Sequence, residues 1–218
     1  MFEILRYSPV SFKQIPNRTE IRDYSTVVLE YNDEGTGPWI IDLSYKIRFD
    51  IQDSNINNIM PYQIKIPKIP GNSIIQDGIL INRMNQKQAS IFFLDCNFNS
   101  LQTDFLYTDI TEASLCIALI GEPVFTIMEK LSSLDFFDPN QRTPFLLQGP
   151  ISHVPCQIIT LNRNNDQSGL IFTCSRGYTK SMIDAVMEAG DEFDLRPAGD
   201  IRFLSWFKSD ACQMTMNG

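Results

Sequence analysis

Ser114-Leu-Cys-Ile-Ala-Leu-Ile-Gly121 is an unbroken apolar run of strand length, closed by a glycine. A strand without polar alternation needs apolar cover on both faces, so the run reads as the buried central strand of a sheet. Pro123 follows, a residue tolerated in the first turn of a helix, and Val124, Ile127, Met128, Leu131 and Leu134 then recur at helical spacing. Further on, residues 144–148 read as a short extended piece, and residues 156–162 and 169–175 as strands joined by the polar Arg163-Asn-Asn-Asp-Gln-Ser168. Thr179 to Phe193 is expected to be helical, with Met182, Ile183, Val186, Met187 and Phe193 turned inward, and residues 201–207 fit a last strand or a short helix. From residue 107 onward the order is β-α-β-β-α-(β), the split βαβ or ferredoxin-like order.

The first half carries fewer helical signals. Residues 1–20 read as an irregular lead-in with Pro9 and Pro16, and Arg22 to Tyr31 contains a strand. Asn32-Asp-Glu-Gly-Thr-Gly-Pro38 is a turn cluster. Leu43, Tyr45, Ile47, Phe49 and Ile51 alternate with polar residues, which predicts one long half-buried strand from Trp39 to Ile51. Two more strands are expected at residues 78–82 and 89–95, after a loop rich in Asn, Pro and Gly. The expected class is α+β, a two-part fold with a mostly β N-terminal half and a ferredoxin-like C-terminal half. The expected divisions are 1–105, 106–207 and a flexible tail at 208–218.

The 218 residues include 18 Lys+Arg, 26 Asp+Glu and one histidine, for a formal net charge of −8. Phosphate backbones call for clustered Lys and Arg, and no such block occurs, so nucleic acid is not an expected partner. No run of 18 apolar residues is present, which argues against a membrane span. The first eight residues lack the apolar core of a secretory signal, and the expected location is the cytoplasm. With His153 alone, no metal site built on two or three histidines can form within the chain, and no metal is expected. Cys96, Cys116, Cys156, Cys174 and Cys212 are odd in number and contain no CxxC pair, which suits buried free thiols better than a disulfide framework.

No phosphate loop, HExxH or GxSxG motif occurs. Asp135 and Asp138 flank two phenylalanines, where capping or turn formation explains them better than acid–base catalysis. His153, bounded by prolines, reads as a structural or surface residue, and a His153–Cys156 catalytic pair is not expected. No catalytic residue is assigned. Arg176, Arg196 and Arg202 stand at the ends of expected elements. A guanidinium there can clamp a ligand's carboxylate or pteridine-like ring, grip a partner's acidic side chain, or form an ion pair on its own surface.

Two blocks carry a resemblance. Tyr107-Thr-Asp-Ile-Thr-Glu112, Ile117-Ala-Leu-Ile-Gly121, Val124 to Leu134 and Asp135-Phe136 resemble the "TD-T … ALxGP … LxKL … DL" block of the glycine-cleavage T-protein (aminomethyltransferase) superfamily. His153-Val-Pro-Cys-Gln-Ile-Ile159 is similar to its "GVPxxxx" strand. Ser181 to Gly199, ending Leu195-Arg-Pro-Ala-Gly199, is similar to its "LWDALLEAGxEFGLRPxG" helix and exit. The blocks cover roughly residues 107–203. Transferases of the superfamily carry an acidic pterin anchor in a Gly-Tyr-Thr-Gly-Glu-Asp-Gly-like loop. The matching stretch here, Arg163 to Gly169, is shorter and lacks the Glu. That departure, the chain's length and the Ser175-Arg-Gly-Tyr178 run resemble the sarcosine oxidase gamma-subunit branch. The resemblance implies a non-catalytic accessory subunit that handles no substrate itself. It would bind no cofactor of its own and pack against larger subunits carrying flavin and folate, in a complex oxidising N-methyl amines. The alternative is a stand-alone folate-binding, one-carbon transfer protein in which Arg202 and Arg176 hold the ligand's acidic tail. A scaffold that dimerises through an exposed strand edge is a third reading.

Overall fold

The computed structural model describes residues 6–95 and 107–214, with side chains to residue 209. Two strands open the chain, β1 (Pro16–Arg22) and β2 (Ser25–Tyr31), followed by β3 (Trp39–Asp42) and β4 (Arg48–Gln52). Next come β5 (Ser73–Gln76), β6 (Ile79–Asn85), β7 (Gln88–Phe93) and β8 (Tyr107–Asp109). The second half runs β9 (Ser114–Ile120), α1 (Val124–Glu129), β10 (Phe145–Ile151), β11 (Val154–Asn162), β12 (Gly169–Ser175), α2 (Thr179–Gly190), β13 (Arg196–Ala198) and α3 (Asp200–Met214).

These strands form a β1–β2 ribbon, a six-stranded sheet in the order β10-β11-β12-β9-β3-β13, and a five-stranded sheet in the order β5-β6-β7-β4-β8. The apolar run of β9 lies inside the larger sheet, as its composition requires. Leu115, Ile117 and Leu119 face α1 and α2 with Ile158, Phe172, Met182 and Val186. On the other face, Cys116, Ala118 and Ile120 pack against Leu80, Met84, Phe92 and Leu94 of the smaller sheet and against Phe203, Trp206 and Phe207 of α3. The far side of the smaller sheet is covered by the 3₁₀ turns and loop of residues 56–66, through Ile56, Ile64 and Ile66. The molecule is thus a stack of helices, sheet, sheet and loop. Its class is α+β and its organisation two-part.

Several boundaries differ from the sequence reading. The stretch 39–51 is two strands, not one. β3 belongs to the six-stranded sheet and β4 to the five-stranded one, and the residues between them turn the chain from one sheet to the other. The period-2 pattern continues through the turn because Leu43 and Ile47 are both inward, but they enter different cores. The division at residue 105 is not followed by the sheets. β3 of the first half lies between β9 and β13, pairing antiparallel with the former and parallel with the latter, while β8 of the second half pairs with β4. The split βαβ connection β9-α1-β11 is present with β12 between its strands, and β10 adds a hairpin at the edge. β3 occupies the place beside β9 that the closing strand of a self-contained ferredoxin-like unit takes.

Residues 201–207 are helical, and α3 continues to Met214, so residues 208–214 are not a loose tail. Residues 16–20 lie in β1 where an irregular segment was expected, and α1 ends at Glu129, although Leu131 and Leu134 still pack on the core. Cys96, residue 105 and residues 215–218 lie outside the described residues.

Gly199, the last residue of the Leu-Arg-Pro-Ala-Gly exit, has a definite physical role. A Cβ there would stand 2.2 Å from the carbonyl carbon and oxygen of Leu29, backbone that cannot swing aside. The glycine lets the start of α3 abut β2. Gly199→Ala is expected to destabilise the fold by on the order of 1–3 kcal/mol, read as a lowered midpoint in urea unfolding.

Candidate functional site

The three arginines do not converge. In the six-stranded sheet, Ser175 lies opposite Ser114 and Gly169 opposite Ile120, while Trp39 pairs with both Ile120 and Arg196. Arg176, just past β12, therefore stands at one end of the sheet, and Arg196 and Arg202 stand at the other.

Each is already partnered. Arg176 donates from Nη1 to Glu112 Oε2 at 3.0 Å and from Nη2 to the Tyr7 carbonyl at 2.6 Å. Arg196 bonds Asp33 and, from Nε, Asp194 Oδ2 at 2.9 Å. These bonds, to Asp194 first, hold its proton still more firmly than usual. Arg202 lies over the Trp39 ring at 4.6 Å from the centroid, with Nε 3.4 Å from Glu34 Oε2. Glu34 is the hub of that end: its Oε1 also accepts from the amides of Tyr31 and Gly199, and its carbonyl accepts the Trp39 indole N–H.

Beside Arg202 runs an open groove of about 560 Å³ between Trp39, Gly121, Asp166 and Trp206. Its floor is tied down, with the Trp206 indole N–H donating to the Gln167 carbonyl at 3.1 Å. The charged groups on its rim, apart from the paired Arg202, are Glu122 and Asp166, so it does not favour anions. At the opposite end, near Arg176, a cavity of about 50 Å³ is bounded by Ser8, Tyr31, Asp42 and Tyr45. That is room for a few waters. Asp42 accepts a very short bond from the Ser8 hydroxyl and a 2.9 Å bond from the Ser44 amide.

The most concentrated chemistry lies at the crossing between the sheets, in residues that the sequence reading did not single out. Arg48 is fully buried, and its guanidinium donates to the carbonyls of Leu43, Lys46, Thr111 and Ser114. Nearby, Lys46 Nζ sits 3.1 Å from Asp200 Oδ1 and donates to the Leu94 carbonyl at 2.8 Å. Arg22 reaches the other oxygen of Asp200 at 2.6 Å. Burial alone would raise the Asp200 pKa, but the Lys46 charge, the neighbouring Tyr45 hydroxyl and the Arg22 and Lys46 side chains outweigh it, and the net shift is downward. Asp42 is shifted the other way: burial pushes it up, and the bonds from Ser8 and Ser44 and the Arg48 charge offset this only in part. A polar residue inside an alternating strand leaves no sign in sequence that its partners are carbonyls or an acid 154 residues away.

The remaining candidates resolve simply. His153 and Ser152 occupy the β10–β11 turn with φ of 70° and 46°, and His153 is exposed. Asp135 and Asp138 each accept a backbone N–H two residues on, at 2.9 Å, as turn formers. Among the described residues no group of three metal-ligating side chains occurs, and no helix is long and apolar enough to cross a membrane.

No family model matches the sequence, and no curated protein matches it either. Solved structures do match. One is the heterotetrameric sarcosine oxidase from Corynebacterium sp. U-96 in complex with pyrrole 2-carboxylate, at TM-score 0.56 and 9% identity, over 71% of this chain and 84% of that chain. Another is the glycine cleavage system aminomethyltransferase T from Bartonella henselae, at TM-score 0.54 and 10% identity. This chain has their fold. The aminomethyltransferase match takes in 86% of this chain but only 57% of the other, so the present chain spans little more than half the transferase's length. At such identities the likeness concerns backbone architecture, and it agrees with the blocks at residues 107–203 that carry the resemblance.

The two carboxylates predict opposite pH behaviour. Asp200, held below the ordinary value of 3.8, contributes stability that is present above that value and lost as pH falls through its lower folded-state pKa. Asp200→Asn strands Lys46 as a buried charge and is expected to cost about 3–5 kcal/mol at pH 7. Asp42, held above 3.8, imposes a penalty that is absent below 3.8 and complete only once pH has risen past its raised folded-state pKa. Asp42→Asn keeps an acceptor for the Ser44 amide, so its urea midpoint is expected to exceed the wild type's at pH 8 and to converge with it on acidification. Chemical unfolding of both variants from pH 3 to pH 8 measures the contrast.

Proposed function

We propose that the chain is a non-catalytic accessory subunit of a multi-subunit, sarcosine-oxidase-like flavoprotein oxidoreductase acting on N-methyl amines. The observation that carries the proposal is the filled space between the sheets. Leu80, Met84, Phe92 and Leu94 close directly onto Cys116, Ala118 and Ile120. The arginines that would hold a folate's acidic tail are committed to Glu112, Asp33, Asp194 and Glu34. The coverage adds support. A single alignment takes in more of the sarcosine oxidase chain than of this one, which makes that chain the shorter of the two. In this reading flavin and folate reside on larger partner subunits, Arg176, Arg196 and Arg202 brace the chain's own loops, and the complex is cytoplasmic.

A surface suited to such a partner exists. β1 is exposed along almost its whole length, and its outer edge is unpaired among the described residues. Ile15, Ile21 and Tyr24 around it are 71%, 66% and 56% exposed. A strand edge of this kind can be extended by a strand of another chain. The net charge of −8 suits basic patches on the partner.

Affinity purification of the tagged chain from its own cells is expected to recover larger flavin-containing chains, with yield falling as salt rises. Ile21→Asp should lower that recovery several-fold while leaving the thermal midpoint within about 1 °C, because a mostly exposed side chain contributes little to folding. A stable, partner-free monomer would overturn the proposal. Fold coverage of 86% with the aminomethyltransferase keeps the one-carbon alternative testable. Calorimetric titration with a reduced folate is expected to give no heat, and saturable micromolar binding would favour the stand-alone carrier.

A further inference from the structure

We propose that Cys156 and Cys174 form a redox modification site, closed by hydrogen peroxide into a disulfide across β11 and β12. The register places them together. Gln157 pairs with Thr173 and Ile158 with Phe172, so the antiparallel ladder sets Cys156 opposite Cys174 one step further along. Both thiols lie on the helix-facing side of the sheet, in one cluster with Leu115, Phe172 and Met182. Directly opposed residues on antiparallel strands have Cβ atoms about 4.5–5.5 Å apart, and a disulfide needs about 3.5–4.5 Å. The closure therefore asks for a small local approach and no change of fold. Cys116 lies on the other face of the same sheet and cannot compete. Cys156 and Cys174 keep 6% and 5% exposure, against 1% for Cys116, which leaves a path for an uncharged oxidant of atomic dimensions.

The pair is chemically asymmetric. Cys174 is shifted toward the thiolate by the neighbouring Cys156 thiol, against the effect of burial, while Cys156 is pushed up by Cys174 and by burial. In the proposed order Cys174 attacks first. Its thiolate forms an S–O bond to peroxide as the O–O bond breaks, and the departing hydroxide takes a proton to become water. The Cys156 sulfur then attacks the Cys174 sulfenic acid: an S–S bond forms, the S–O bond breaks, and the second oxygen leaves as water with the Cys156 proton. In sum two thiols and one peroxide give one disulfide and two waters, with the sulfurs oxidised and the peroxide reduced. The product ties together two neighbouring strands of the six-stranded sheet.

The test is peptide mapping of the whole chain after graded peroxide treatment under native conditions. Trypsin cuts after Arg142, Arg163 and Arg176, so Cys156 and Cys174 fall in separate peptides, 143–163 and 164–176, each with one cysteine. The expected product is those two peptides joined, lighter by two hydrogens and separated by dithiothreitol. Oxidation confined to other cysteines, or a joined pair that forms only after urea unfolding, would overturn the proposal without bearing on the proposed function. Dimedone trapping assigns the order: an adduct is expected on Cys174 in Cys156→Ser, and none on Cys156 in Cys174→Ser. The reverse pattern overturns the mechanism, and the wild-type map stands whether or not either variant folds.

Discussion

The guanidinium of Arg48 holds the crossing on which the two sheets depend. It is wholly buried at the start of β4, and the carbonyls it binds come from the turn that leaves β3 and from the segment that leads into β9. A buried guanidinium without such acceptors would be strongly unfavourable, so the turn at 43–46 and the connection at 111–114 must stay where they are for the charge to be tolerated. One side chain thereby couples the last residues before the smaller sheet to the first residues of the larger sheet's central strand. The amide of Arg48 adds a bond to the Thr111 hydroxyl, on the same connection.

The Lys46–Asp200–Arg22 cluster extends this arrangement outward. It joins the crossing turn, the end of β7 through Leu94, the start of α3 and the end of β1. Glu34 does similar service at the far end, gathering Tyr31, Gly199 and Arg202. The ionic groups of these two clusters thus hold the chain's own layers together. Charges already held by intramolecular partners make poor ligand clamps. The β1–β2 ribbon stands outside both sheets, with β1 exposed along almost its whole length.

The sequence by itself determined the α+β class, the buried central strand at 114–120 and the helix at 179–190, because continuous apolar runs and 3.6-residue periodicity are local properties of the chain. It also sufficed for the blocks that resemble the aminomethyltransferase superfamily, and for the exclusions that a single histidine imposes. Arg176, Arg196 and Arg202 were visible as candidates, since arginines at element ends are visible anywhere. Their use was not, because Arg176 finds Glu112 and Arg196 finds Asp33 across 64 and 163 residues. Only the tertiary structure decided that β3 completes the second half's sheet, that the alternating stretch 39–51 breaks between two cores, and that Lys46, Arg48 and Asp200 are interior. Period-2 alternation says that a residue faces inward, but not which of two sheets receives it. Whether a buried charge is paired depends on groups that only folding brings within a few ångströms.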